Sequence, residues 1–497
     1  MNYAIAVLDV GKTNKKLLIF DNDLNLLDST YGNFTPVYDG EIPLEDLDGM
    51  LAWFYAELSR FAEAYPIQSI ACATHGAEFV GVDASGIRTL PLVDYTYEPG
   101  EAFHERFYAA VGDRLELQKT TATMELKALI NPAKGLFFAK EQYPREFRDT
   151  EWFLPLPSFF AMQLTGIPSA EWTYVGCHTY LWDFGKSSWS TVAEALGIRE
   201  RLPDRIGRPQ EKLGSIRSEL AERIGLPGDT TVSYCIHDSN AALLPYLVKE
   251  SEPFILNSTG TWCVVMRPAT SVAFAEEELG KSVFFNLSAK GTPVKTALLM
   301  AGVEYDTYTH ILRSLHDLSE LPRFDRTTYE RITRERSCFI LPSIVVGSGQ
   351  FPESRPRVIE NATVYELNEI RDGSRIPSFF RDPQAAIAVL TLSIVAQSIV
   401  AFERVGASKV VHAFTEGGFR NNPDYNALMA QVFPELNISL TGIPEASALG
   451  AAITARCAHE GISVDNIAGE LRIEKEPVKP AEVSGLQEYV QRFIELV

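Results

Sequence analysis

The stretch AIAVLDVGKTNKKLLIFD (residues 4–21) sets one aspartate and three lysines in a tight turn between two apolar runs. Gly-Lys-Thr invites a P-loop reading, and spacing rules it out. That loop needs a glycine five residues before its Gly-Lys pair, and the position is Ala6, inside an apolar run. The flanks Ala4–Leu8 and Leu17–Phe20 are strand-like, which predicts a β-hairpin with a glycine, small polar and basic tip. Backbone N–H groups and lysines at such a tip can hold phosphate; a merely solvated tip is the commoner use of the pattern. Asp9, Lys12, Lys15 and Lys16 thus crowd one turn of a chain whose net charge is −20.

The pattern recurs half a chain later. PFILNSTGTWCVVMRP (253–268) is again an apolar strand, a small polar turn and a second apolar strand. Two such hairpins predict two similar domains, 1–243 and 244–497, facing each other with both tips in one cleft; coincidence between common polar turns is the alternative. The length of 497 residues fits two or three domains. IQSIACAT (67–74) and SKVVHAFTEGG (408–418) read as strands, and EASALGAAITARCAH (445–459) as a helix in which Gly450 allows close packing. Strands interleaved with helices predict an α/β fold with a mixed sheet in each half. The Pro-, Arg-, Asn- and Gly-rich stretch 350–376 reads as an irregular excursion.

Bulk properties narrow the function. With 46% hydrophobic and 22% charged residues the composition is that of a soluble globular protein. The charge of −20 argues against nucleic-acid or anionic-membrane partners, which want a basic face, and leaves room for an anionic ligand in a local basic pocket. Residues 385–402 carry no charge. Thr391, Ser393, Gln397 and Ser398 interrupt the run and Arg381 and Glu403 bracket it, as in a buried helix of a large protein rather than a membrane span. Six scattered cysteines suggest no zinc or redox pair and fit a reducing compartment. With no export signal ahead of the first strand, the expected location is cytoplasmic.

Asp238 ends an apolar strand, TTVSYCIHD (230–238), and precedes a small-residue helix, SNAALLPYL (239–247). A carboxylate there can face a cleft while the strand fixes it; Asp238 or Ser239 as a plain helix cap is the alternative. His237 reads as a hydrogen-bonding or positioning group, since no second metal-type ligand lies nearby in the sequence. His104, His178, His310, His316, His412 and His459 show no ligand spacing and read as structural.

The order of pieces resembles the FGGY carbohydrate kinases: the Asp-Val-Gly turn (9–11), IHDSNAA (236–242), NSTGTW (257–262) and TEGGFRNN (415–422). THGAEFVGVDASG (74–86), with IHDSNAA and NSTGTW, is similar to the corresponding segments of the rhamnulose kinases in that family. The resemblance implies two actin-like, ribonuclease H-like domains with a central cleft that closes on its ligands. It also implies transfer of phosphate from ATP to a small ketose with Mg²⁺. Asp238 would be the general base, and Asp9 with Asp238 would hold the metal. Gly11, Thr13, Asn14 and Lys16 would form one phosphate clamp and Thr259, Gly260 and Thr261 the other. Gly302, Gly417, Gly418 and Asn421 would complete the ATP site. His75, Gly76, Glu78, Asp94 and His237 would bind the sugar, with Phe79, Tyr95 or Tyr97 as an aromatic surface.

Three residues depart from the pattern: His75 stands for Trp, Glu78 for Asp, and Glu416 for the first glycine of a triplet. The implied sugar is a 6-deoxy ketose such as L-rhamnulose or L-fuculose, with ribulose and xylulose as rivals; His75 hints at a more hydroxylated one. A non-catalytic sugar sensor and an actin-like ATPase scaffold are the alternatives of other classes. The expected partners are the sugar and ATP, with a homodimer as the ordinary prior.

Overall fold

Each of the two hairpins is the centre of a mixed β-sheet. In the computed structural model, which describes residues 3–12, 14–345 and 347–497, Ala4–Val10 pairs antiparallel with Lys15–Asp21, which pairs antiparallel with Leu26–Gly32. On its other edge Ala4–Val10 runs parallel to Ile67–Thr74, which takes Thr231–Ser233 in parallel. The second sheet repeats the order. Phe254–Thr259 is antiparallel to Cys263–Pro268, itself antiparallel to Pro293–Leu299. It is parallel to His412–Gly417, which takes Asn437–Thr441 in parallel. The chain is therefore a two-lobed α/β molecule with a mixed sheet at the heart of each lobe. All seven residues of Ala4–Val10 are buried, as expected of a strand covered on both faces. Thr13 lies outside the described residues.

Two expectations need correcting. TTVSYCIHD is not one strand: it breaks at Cys235, whose φ is +68°, and resumes as Ile236–His237 alongside Ala73–Thr74. Between Val232, paired with Ile70, and Ile236, paired with Ala73, the chain inserts one extra residue. Such a bulge bends a strand and re-aims the residues beyond it, here His237 and Asp238. The stretch 350–376 is not irregular either. Arg357–Glu360 and Thr363–Glu366 join Cys338–Leu341 in a three-stranded antiparallel sheet, followed by the helix Leu367–Arg371. The turn between them is Asn361-Ala362, with Asn361 at φ +55°. Asparagine tolerates that conformation, and two-residue hairpins need it.

Helix Pro383–Val405 is long and apolar enough to cross a bilayer, and its apolar window is wholly buried in the second lobe. Two of its polar interruptions have partners: Gln397 Nε2 donates to Glu304 at 2.7 Å, and Tyr425 OH donates to Ser398 Oγ at 3.1 Å.

Two helices tie the lobes together. Ala446–Glu460, from the second half of the chain, packs Ala448, Ala451, Ala452 and Ala455 against Ile5, Val7, Ala71 and Ala73 of the first sheet. Asp238–Lys249 turns Ala241 and Leu244 to the same cluster, and Leu243, Tyr246 and Leu247 to Phe254, Leu256 and Phe414 of the second sheet. The two helices meet where a Cβ on Gly450 would lie 2.0 Å from Ala241 O. In a free helix Gly→Ala stabilises by ~1 kcal/mol, so the sign of this substitution is diagnostic. Gly450→Ala is expected to destabilise by about 1–3 kcal/mol through overpacking against backbone, read as a lower denaturant midpoint; a raised midpoint would contradict the contact.

Candidate active site

Three parallel strands end side by side, and their last residues floor the site. Val10 is in register with Thr74, and Thr74 with His237. Asp9, His75 and Asp238, one residue to either side, therefore reach one edge of the first sheet, where open α/β sheets bind ligands. Asp238 begins the helix Asp238–Lys249 without capping it. Its Oδ1 accepts from Ser239 N at 2.5 Å and Ser239 Oγ at 3.2 Å, not from the N–H groups two or three residues on that a cap serves. Burial pushes the Asp238 carboxyl up to about 6, against the pull of the Ser239 hydrogen bonds.

Asp9 sits opposite Lys16 across the hairpin, and its Oδ2 accepts from Ser447 Oγ at 2.8 Å. Burial raises it to about 6; the Ser447 hydrogen bond opposes this and the charge of Asp238 adds to it. Two carboxylates close enough to repel are an oxygen donor set for a hard cation such as Mg²⁺.

Strand alternation separates the lysines of the tip. Lys16, on the Asp9 face, pairs with Glu445 at 2.6 Å, immediately before helix Ala446–Glu460. Lys15 faces the other way, donating to Lys12 O at 2.9 Å with Glu45 at 3.8 Å. Lys12 bridges Glu45 at 2.9 Å and Asp94 at 2.5 Å, and lies 4.9 Å over the Tyr95 ring. Lys12 and Lys15 are thus the counter-ions of a half-buried acidic cluster rather than a solvated edge.

A cavity of about 270 Å³ opens between the lobes beside Asp238. His75, Gly76 and His237 line it; Glu78 and Asp94 do not. Asp94 is held by Lys12. Glu78 is buried behind His75, with its Oε2 3.6 Å from His75 Nε2 and neither oxygen hydrogen-bonded, and burial pushes its carboxyl well above the ordinary range. Tyr95 alone of the three candidate aromatics reaches the cavity. Phe79 packs on Tyr174 and Tyr97 on Phe138. Leu126 and Ile130 add to the wall, and the second lobe supplies Trp262, Val264, Phe284, Leu298 and Asn286, whose Oδ1 is buried without a partner. Cys177 and His178 also line it, so His178 is not merely structural and His237 does have metal-type ligands nearby. No spacing in the sequence brings residues 60 positions apart together; the fold does.

Burial lowers His75, His178 and His237 to about 3 each, so all three are neutral. Asn240 Nδ2 lies 3.0 Å from His237 Nδ1, which leaves a proton on Nε2, facing Asp238 Oδ1 at 3.3 Å.

A larger cavity of about 780 Å³ lies on the second lobe, lined by Gly260, Gly302, Gly418 and Asn421 together with Tyr305, Phe324, Phe419 and Asp424. The second hairpin tip closes it through Gly260 N to Trp262 O at 2.9 Å. A Cβ on Gly302 would stand 2.0 Å from Gly260 O, and one on Gly417 (φ +78°) 1.9 Å from Thr259 O. Glycine is required at both approaches. Thr259 braces this turn, its hydroxyl accepting from Phe419 N at 2.9 Å and donating to Glu416 O. Glu416 itself points behind the turn, where its carboxylate accepts from Tyr246 OH at 2.9 Å. Gly11 N to Asn14 O at 3.0 Å closes the first tip, and Thr261 and Asn14 are exposed.

Comparison with known proteins agrees with this architecture. Residues 251–463 match the family model for the C-terminal domain of carbohydrate kinase FGGY. The chain is similar to a rhamnulokinase of Halalkalibacterium halodurans (25% identical over 284 residues, 53% of this chain and 56% of the relative). It is also similar to an L-fuculokinase of Salmonella typhi (25% over 273 residues, 53% and 56%). These matches span little more than half the length of either relative. A crystal structure of a carbohydrate kinase from Novosphingobium aromaticivorans superposes over 99% of this chain and 100% of that one, with a TM-score of 0.78 and 24% identity. Residues 251–463 are thus similar to the C-terminal domain of the FGGY carbohydrate kinases, and the chain as a whole shares the fold of that solved carbohydrate kinase.

Proposed function

We propose that this chain transfers phosphate from ATP to a hydroxyl of a small ketose, with a 6-deoxy ketose such as L-rhamnulose or L-fuculose preferred. The observation that supports the reading is Asp238 on the wall of a small cavity fit for a sugar, to which the second hairpin gives Trp262 while its Gly260 lines the glycine-rich cavity fit for a nucleotide. The larger cavity lies within the ordinary range for ligands of about 300–1,000 Å³. Phosphoryl transfer asks for an aligned hydroxyl, a base and charge neutralisation. Asp238 takes the hydroxyl proton, and His237 Nε2–H orients a sugar oxygen. The oxygens of Asp9 and Asp238 would hold Mg²⁺, which when bound neutralises phosphate charge. Gly260, Gly302 and Gly418 admit the nucleotide against bare backbone. In this reading lobes 1–243 and 244–497 close on both ligands and exclude water.

The deoxy preference rests on the apolar side chains of Trp262, Val264, Phe284 and Leu298, which offer a methyl group contact, while the unpartnered Asn286 Oδ1 on the same wall is left for one of the sugar's hydroxyls. Such a pocket discriminates by about 10–100-fold. ADP release with L-rhamnulose, L-fuculose, L-ribulose, D-xylulose and D-fructose is expected to give the highest kcat/KM for a deoxy ketose. A pentulose or D-fructose ahead by tenfold overturns the preference, and ligand binding without sugar-dependent ADP release from any member overturns the kinase.

Asp238→Asn is expected to fold, bind both ligands and lose about 10²–10⁴ in kcat. In the wild type kcat/KM should fall as pH drops through about 6, because the base is then protonated. Stability has the opposite sign. Asp9 titrates near 6 when folded and near 3.8 when unfolded. Between those values the folded state holds a proton the unfolded state has lost, so the stability this group gives is full below 3.8 and is lost as pH rises through 6. Asp9→Asn should therefore gain in Tm over the wild type, in metal-free buffer, as pH is raised from about 4 to 7; a difference independent of pH would refute the assignment.

A further inference from the structure

The kinase reading employs His237 and Asp238 and leaves Cys177 and His178 without a task. Cys177 Sγ lies 3.6 Å from His237 Nε2, and one ligand atom from each of Cys177, His178 and His237 falls within 4.8 Å of the other two. His237 Nε2 is also 3.3 Å from Asp238 Oδ1. In a tetrahedral Zn²⁺ site, bonds of about 2.3 Å to sulfur and 2.0–2.1 Å to nitrogen or oxygen set sulfur–nitrogen edges near 3.5 Å and nitrogen–oxygen edges near 3.3 Å. Two edges already have those lengths.

Gly76 provides the room. A Cβ there would stand 2.6 Å from His237 Nε2 and 3.3 Å from His178 Nε2, so both nitrogens border the space that glycine leaves open. His178 Nδ1 and Asn240 Oδ1 are buried without partners. A half-turn of the Asn240 amide would set that orphaned oxygen on His237 Nδ1–H and leave the Nε2 lone pair to a metal. Ligating histidines are oriented in this way by an acceptor on their second nitrogen. Thiol and imidazole donors select borderline and soft cations over Mg²⁺.

We propose that the smaller cavity is also a binding site for a thiophilic divalent cation of the Zn²⁺ class, held by Cys177 Sγ, His178, His237 Nε2 and a carboxylate oxygen of Asp238. On binding, the Cys177 thiol gives its proton to solvent and a metal–thiolate bond forms, so affinity rises with pH. One thiolate and one carboxylate cancel the charge of the cation, which an apolar wall requires. The occupied site takes away Asp238 and His237 together, so the cation excludes the sugar.

Co²⁺ alone, titrated into the metal-free full-length protein, tests this without turnover, so its outcome is independent of the kinase reading. The wild type is expected to develop the near-ultraviolet thiolate–Co²⁺ charge-transfer band and the strong visible bands of a tetrahedral site, and Zn²⁺ should bleach both. Cys177→Ser should lose the charge-transfer band, and His178→Asn should weaken Co²⁺ binding at least tenfold. A wild type without the thiolate band, or a Cys177→Ser protein that keeps the full spectrum, overturns the proposal. Should Cys177→Ser fail to fold, unchanged Co²⁺ affinity in His178→Asn overturns it as well.

Discussion

The backbone contact between Gly450 and Ala241 sets the geometry of everything at the cleft. Helix Asp238–Lys249 and helix Ala446–Glu460 come from different halves of the chain, cross at that point, and both begin at the first hairpin. One delivers Asp238 at its first residue. The other delivers Glu445 and Ser447, which hold Lys16 and Asp9. A side chain at Gly450 would part the helices by more than the length of a hydrogen bond can absorb. The spacing of Asp9, Asp238 and Ser447 is therefore decided by the smallest residue in the helix, far from any reacting atom. Helix Asp238–Lys249 also links Asp238 to the second lobe: Tyr246, two turns along, binds Glu416 behind the Gly417 turn.

Charge explains the crowded turn with which the sequence opens. An acidic chain that buries Glu45, Glu78 and Asp94 near one cavity must bring cations to them or protonate them. Lys12 and Lys15 answer Glu45 and Asp94, whereas Glu78 pairs with neither lysine and burial pushes its carboxyl well above the ordinary range. Because alternate residues of a strand face opposite ways, neighbouring Lys15 and Lys16 serve different partners, one on the sugar side and one at the lobe junction.

The features legible in the sequence were local. The two hairpins, the strands flanking them, the small-residue helix with its close-packing glycine and the buried apolar helix all declare themselves by period and by turn residues within a few positions. The mixed-sheet, two-lobed architecture came from their order. Most of the misses were long-range, with the break at Cys235 and the short hairpin at Asn361 as the local ones. Cys177 and His178 lie beside His237 where the extra residue at the Cys235 bulge sets Ile236–His237 one position back, against Ala73–Thr74. Tyr95 rather than Phe79 or Tyr97 reaches the cavity because the latter two are claimed by Tyr174 and Phe138. The hairpin at Asn361 was hidden because its strands are four residues each and lie among Pro and Arg. Spacing carries no trace of any of these.

Asp238 stands on a boundary between two kinds of chemistry. On the hairpin side its charge reaches Asp9, whose carboxylate accepts from Ser447 and whose oxygens suit hard cations. On the cavity side its neighbours are Cys177, His178 and His237, neutral nitrogen and sulfur donors set against an apolar wall. The bulge at Cys235 puts one carboxylate within reach of both. Its titration near 6 expresses the same position: deep enough to disfavour the charged form, yet not paired with any fixed cation that would settle it. The base proposed here must accept a proton and release it again, and a permanent counter-ion such as the Lys12 given to Asp94 would hold the carboxylate in its ionised form. The fold commits its nearby lysines to the residues around Asp238 and leaves Asp238 itself to whatever enters the cleft.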